Sequence, residues 1–194
     1  MTRKTNPVFG RLCTLLGLCL LLAAAVVMVS WFWGIHTSRQ QMERYVQSIR
    51  NLTPAPQSAA PEPRQDNAMA VLSIDGRDFV GILEMPGYGA AFPVSADWGN
   101  IRKYPCRFSG SIYNRTLQIG GTSQSGQFDF YKELSVGDPV FFTDMEGNCF
   151  SCQITGIRYV RHADQTALQR EDAALTLFIQ NIFGFEYMIV SCDI

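Results

Sequence analysis

Leu134-Ser135-Val136-Gly137-Asp138-Pro139-Val140-Phe141-Phe142-Thr143-Asp144 leads straight into Met145-Glu146-Gly147-Asn148 and then into a long strand-like run over residues 149–160. Two β-prone runs joined by a short segment of acidic residues, Gly and Asn predict a hairpin. The same pattern extends in both directions. Towards the C-terminus, residues 175–180 and 185–192 read as strands, and residues 166–170 as a helical turn at most. Towards the N-terminus, residues 71–74 and 79–85 flank an Asp75-Gly76 turn, and Pro86-Gly87 breaks the second of these strands. Residues 91–95 and 117–120 follow as short strands, the latter bounded by Gly120-Gly121. About eight short strands with sparse helix predict a mainly β closed barrel or sandwich over residues 68–194.

The chain upstream has a different character. Residues 51–67 carry Pro54, Pro56, Pro61 and Pro63 among Ala, Ser and Gln. Such a stretch cannot form a core and reads as an extended tether. Residues 34–47 are mostly polar and read as helix, with Met42, Tyr45 and Val46 giving a thin apolar stripe. Residues 12–33 contain no formal charge and end on Trp31, Phe32 and Trp33. As a helix they would span ~33 Å, enough for a hydrocarbon core of ~30 Å. The run exceeds the ~7–15 apolar residues of a cleaved signal peptide, which predicts an uncleaved transmembrane anchor. Arg3, Lys4 and Arg11 lie more densely before the span than Arg39, Arg44 and Arg50 after it. That asymmetry predicts a cytoplasmic tail at residues 1–11 and an extracellular C-terminal domain.

Composition removes several classes of function. Sixteen Lys and Arg against 17 Asp and Glu leave a net charge of −1, without the surplus cation that phosphate binding needs, so no nucleic-acid partner is expected. Thirteen Phe, seven Tyr and three Trp supply a core and exclude disorder throughout. Six cysteines are too few for a disulfide scaffold, and Cys13 and Cys19 read as apolar fillers of the span. Cys149 and Cys152 have a C-x-x-C spacing, but on a strand they face opposite sides ~10 Å apart. Completing a four-cysteine zinc site would need Cys106 and Cys192, neither of which belongs to a second C-x-x-C, so no metal and no cofactor are expected.

The order of the segments resembles the sortase family. Val80-Gly81-Ile82-Leu83-Glu84-Met85-Pro86 with Phe92-Pro93-Val94 is similar to its opening strands, and Tyr104-Pro105-Cys106-Arg107-Phe108-Ser109-Gly110-Ser111 to the segment before its histidine strand. Residues 134–144 match the family's L-x-x-G-D-x-V-x-x-T-D hairpin, and Leu175-Thr176-Leu177-Phe178 the strand that delivers its nucleophile. The resemblance covers residues 71–192 and is class B/D-like. It implies a barrel of about eight strands on the outer face of the cell, held by a membrane anchor and tether.

A sortase cleaves a sorting signal of the LPxTG type and passes the acyl group to an amine. Its cysteine thiolate makes a thioester, a histidine moves protons, and an arginine donates to the charge that gathers at substrate and oxyanion. This chain departs from that pattern at all three positions. The family's T-L-x-T-C reads Thr176-Leu177-Phe178-Ile179-Gln180 here, which puts Gln180 at the cysteine position. The histidine position falls on Thr122, and the arginine position on Tyr187 with Glu186 as neighbour; no Arg or Lys occurs after Arg170. A threonine hydroxyl does not titrate near neutral pH and cannot shuttle the proton.

Other residues follow from the same resemblance. Thr122, Gln180, Phe183, Phe185 and Tyr187 are candidates for the groove, the aromatic residues either filling the vacated space or lining an apolar site. Thr122 and Gln180 could form a neutral hydrogen-bonded pair in place of the Cys/His couple. Cys106 and Cys192 are either a disulfide or two buried thiols. The expected function is a non-catalytic binding or assembly module for sorting-signal peptides, surface proteins or an active sortase. The alternative is an active cysteine transpeptidase that uses Cys192 with His162.

Overall fold

The computed structural model describes residues 7–60, 62–64, 68–161, 173–181 and 184–194; at residues 7–14 and 31–38 it describes the backbone alone. One helix, α1 (Pro7–Leu52), precedes the strands β1 (Gln57–Ser58), β2 (Leu72–Ile74), β3 (Arg77–Met85), β4 (Ala90–Ser95) and β5 (Cys106–Ser109). The series continues with β6 (Leu117–Thr122), β7 (Pro139–Asp144), β8 (Asn148–Arg161), β9 (Leu175–Gln180) and β10 (Glu186–Asp193). The strand pairs run β3–β4–β5–β6–β9–β10–β8–β7 and return from β7 to β3, which closes an eight-stranded barrel. β2 pairs antiparallel with the start of β3, and β1 lies parallel to the start of β8.

Local chemistry explains most of these elements. Asp75 and Gly76 both take positive φ, 53° and 70°, the conformation that a two-residue hairpin between β2 and β3 demands. β7 and β8 form the hairpin expected around residues 144–148, in register from Pro139 opposite Gln153 to Thr143 opposite Cys149. Alternation sends Phe142, Phe150, Ile154, Leu117, Ile119, Leu177, Ile179 and Val190 into one core, nearly or wholly shielded from solvent. Two strands were absent from the sequence expectation. β5 is short and pairs with β4 through one residue pair, and β1 has two residues within the proline-rich stretch. The helical turn expected at residues 166–170 lies outside the described residues.

The chain divides into two compact units, Met1–Thr37 and Ser38–Ile194. In the first, residues 15–30 are helical and their leucine side chains are exposed. Among the described residues no helix is long and apolar enough to cross a membrane, so the structure does not support the span expected at residues 12–33.

In the second unit the domain boundary expected at Ala68 moves to Ser38. Met42, Val46 and Ile49, at helical spacing i, i+4 and i+7, are buried in the barrel's own core cluster. Tyr45 beside them meets Tyr104 edge-on with ring centroids 5.6 Å apart, and its hydroxyl accepts from Arg77. Ion pairs Arg39–Asp129 and Arg50–Glu84, each at 2.6 Å, add the exposed contacts. Exposed pairs contribute ~0–1 kcal/mol each, against ~1.5–3 kcal/mol for each fully buried apolar side chain, so apolar burial dominates the attachment. Nor is the stretch after the helix a free tether. The Gln57 N–H donates to Gly147 O at 2.8 Å and the Ala59 N–H to Cys149 O at 2.9 Å.

Candidate functional site

β6 and β9 run parallel through six registered pairs, ending at Thr122 opposite Gln180. β10 runs antiparallel to β9 and places Tyr187 opposite the same Gln180. Leu117 and Ile119 on β6, Leu175, Leu177 and Ile179 on β9, and Met188 and Val190 on β10 belong to the core. By strand alternation Thr122, Gln180 and Tyr187 therefore share the outer face, as one row across three adjacent strands. Thr122 is remote in sequence from Gln180 and Tyr187, and the sheet brings it beside them.

The ends of these strands are pinned by the backbone. The Ser123 N–H donates to Gln180 O at 2.8 Å, carrying the ladder one residue past Thr122. The Thr122 N–H donates to Gln127 Oε1 at 2.9 Å, and Gln127 Nε2 donates to Ile101 O at 3.0 Å. Gln127 is buried with both ends of its amide satisfied, and nothing in the sequence singled it out. Beyond Gln180, the Asn181 N–H donates to Glu186 O at 3.0 Å and the Gly184 N–H to Asn181 O at 2.8 Å.

The side chains of the row are neutral. Thr122 is 6% exposed, and its Oγ1 is buried with no hydrogen-bond partner among the described residues. The hydrogen-bonded Thr122–Gln180 side-chain pair expected from the sequence is therefore not formed. Parallel pairing fixes the two backbones but does not oblige the side chains to meet. Burial raises the Tyr187 phenol above its usual range and keeps it protonated. Phe185 is 74% exposed, so it does not fill the space left by an arginine. Phe183 lies outside the described residues.

One row further along the same face lies an aromatic shelf. Asp97 Oδ1 accepts from the Gly99 N–H at 2.9 Å and starts a 3-10 turn at Trp98–Asn100. That turn lays the Trp98 ring over Gly120, where any Cβ would overlap the indole. Phe108 meets Trp98 at 5.0 Å and Phe178 at 6.3 Å, both edge-on, and Phe178 is the register partner of Gly120.

The cysteines stand apart from this chemistry. Cys106, Cys149, Cys152 and Cys192 are free thiols. Cys106 is on β5 and Cys192 on β10, with β6 and β9 between them. Three strand spacings of ~4.8 Å exceed the ~7 Å reach of a disulfide, which rules out that alternative and leaves two buried thiols. Burial pushes the Cys106 and Cys152 thiols up to about 12, and raises Cys192 as well. Cys192 belongs to the core cluster and is fully buried, so it is not presented as a nucleophile. His162 lies outside the described residues. Among the described residues no group of three or more His, Cys, Asp or Glu is arranged to hold a metal ion.

No family model and no curated protein sequence matches the chain. Solved structures do. Sortase A from Corynebacterium diphtheriae aligns over 82% of this chain and 83% of its own, at 15% identity and a TM-score of 0.52. A lid mutant of that enzyme aligns over 60% and 69%, at 17% identity and a TM-score of 0.51. Sortase C1 from Streptococcus agalactiae aligns over 62% and 69%, at 16% identity and a TM-score of 0.51. At such identities the likeness concerns the path of the backbone, and it agrees with the strand order found here: this chain has a sortase-like fold.

Proposed function

We propose that the chain is a membrane-anchored, extracytoplasmic sortase-like protein without transpeptidase activity. In this reading it binds or assembles sorting-signal peptides, surface proteins or an active sortase. The observation that carries the reading is the row Thr122–Gln180–Tyr187, three neutral side chains on adjacent strands where the family resemblance expects His, Cys and Arg. A glutamine amide cannot form an acyl-enzyme, a threonine hydroxyl cannot exchange protons near pH 7, and a protonated phenol brings no cation. What the row retains towards solvent is the half-buried Gln180 amide, a donor and acceptor suited to a peptide main chain, beside the aromatic shelf of Trp98, Phe108 and Phe178. Anchoring and orientation rest on the uncharged run at residues 12–33 and the denser basic residues before it.

Mass spectrometry of the full chain incubated with a panel of sorting-signal peptides tests the proposal. Retention of a peptide without cleavage is the expected result. A thioester adduct on any cysteine overturns the absence of catalysis, and failure to retain any peptide overturns the peptide-binding role.

A further inference from the structure

We propose that Tyr113, Asp144, Glu146 and Asn148, together with the β8 edge at residues 148–149, form a binding site for an extended peptide segment carrying an arginine. In this structure Arg64 and β1 occupy it in cis. The proposal uses none of the residues of the Thr122 row and does not depend on the function proposed above.

The contacts of the cis segment define the chemistry. The Arg64 guanidinium lies 3.5 Å from the centroid of the Tyr113 ring, and its Nη2 donates to Glu146 Oε2 at 2.7 Å. The Arg64 N–H donates to Asn114 Oδ1 at 2.9 Å. Upstream, the Gln57 and Ala59 N–H groups donate to Gly147 O and Cys149 O, as a strand added to an edge does. A planar cation on an aromatic face with a carboxylate at its rim is a guanidinium site.

The receiving side is built without help from the occupant. Asp144, 2% exposed, accepts at Oδ1 from the Glu146 and Asn148 N–H groups, each at 2.9 Å. Its Oδ2 accepts from the Tyr113 hydroxyl and from Asn148 Nδ2. Asn148 Nδ2 also donates to the Tyr113 hydroxyl at 2.8 Å and to Glu146 Oε2 at 3.3 Å. A buried acid thus fixes the turn, the ring and the rim carboxylate in place.

The occupant is held lightly by comparison. Gln57 and Ser58 are exposed, and the Arg64 and Glu146 side chains are 36% and 44% exposed. Pro, Ala, Ser and Gln dominate the segment and bury no large apolar side chain. Few buried contacts mark a segment that opens locally at low cost. Chain connection keeps it at an effective concentration of ~mM, so a segment from another protein binds the intact chain weakly and the opened site well.

The test compares the full chain with its Ala59→Pro, Arg64→Gln double variant, which lacks one edge hydrogen bond and the cis guanidinium. The probe is a labelled synthetic peptide with the sequence of residues 53–67, followed by fluorescence anisotropy. The opened variant is expected to bind it at least ~10-fold more tightly than the unmodified chain. Replacing the arginine of the peptide by glutamine, or adding Glu146→Gln to the variant, is expected to weaken binding by ~10-fold or more. Absence of saturable binding to the opened variant, or equal binding of the arginine-free peptide, overturns the proposal. If the double variant does not fold, hydrogen exchange on the unmodified chain decides. Faster exchange at the Gln57 and Ala59 amides with millimolar unlabelled peptide supports displacement, and unchanged exchange overturns it.

Discussion

Thr122 and Gln180 are register partners at the ends of two parallel strands, and the Ser123 N–H closes the pair by donating to Gln180 O at 2.8 Å. Parallel partners need a long crossover, and here residues 123–174 provide it, passing through the β7–β8 hairpin. The backbone therefore holds a threonine and a glutamine side by side with the geometry of a two-residue site. Their side chains do not bond each other, and the Thr122 hydroxyl is left without a partner among the described residues.

Thr122→Val removes a buried hydroxyl that makes no bond while keeping the branched shape. Removing an unsatisfied polar group is expected to raise stability, by up to ~1 kcal/mol, measured by thermal unfolding of the full chain. A loss of more than ~2 kcal/mol would show that the hydroxyl has a partner in the folded chain.

Gln180→Cys alone is expected to give no thioester with a sorting-signal peptide. Thr122 moves no proton and Tyr187 carries no charge. Acid–base catalysis contributes ~10²–10⁴-fold, so the triple variant Gln180→Cys, Thr122→His, Tyr187→Arg should exceed the single one by ~10²-fold or more in acyl-enzyme formed. Intact-protein mass spectrometry checks both. Turnover by the single variant would reveal another residue already acting as acid and base.

Most strands of the barrel were legible because they alternate and their turns carry their own chemistry, as at Asp75-Gly76 and residues 144–148. The row Thr122–Gln180–Tyr187 was legible only through the order of the segments, since no local pattern says that β6 and β9 are neighbours. β5 escaped because it joins β4 through a single pair, and β1 because two residues among prolines carry no periodic signal. The role of α1 was misjudged for a related reason. Met42, Tyr45 and Val46 make too thin a stripe to announce a core contact, and Ile49, the most deeply buried among the described side chains of the helix, lies just past the stretch read as helical. Gln127 gave no signal, because a buried glutamine is recognised by its two partners and not by its neighbours in sequence.

Ile49→Ala tests whether the end of α1 is part of the domain. Ile49 is 1% exposed within the barrel core, so truncation is expected to cost ~2–5 kcal/mol, read from denaturant unfolding of residues 38–194 as they occur in the full chain. Leu52, exposed on the same helix, serves as control, with Leu52→Ala expected to change stability by less than ~0.5 kcal/mol. Equal effects from the two substitutions would return the domain boundary to Ala68.

The hold of Glu146 on Arg64 carries a pH dependence of definite sign. The Arg64 hydrogen bond, followed by its charge and by bonds from Tyr113 and Asn148, lowers the Glu146 carboxyl below its usual range, against a smaller opposing effect of burial. Asp144 faces the same cluster, and burial with the Asp144 hydrogen bond raises the Tyr113 phenol, so the phenol stays neutral through the acid range. A depressed carboxyl favours the closed segment fully above its unperturbed value of ~4.3, and that contribution fades as pH falls through the lower folded value. Protection of the Gln57 and Ala59 amides, relative to a free peptide of the same sequence, should therefore be constant from pH 8 to pH 6 and drop below about pH 4. Glu146→Gln should flatten that profile at a uniformly lower protection. A profile that keeps its acid drop in Glu146→Gln would place the titrating group elsewhere and leave Arg64 without its electrostatic hold.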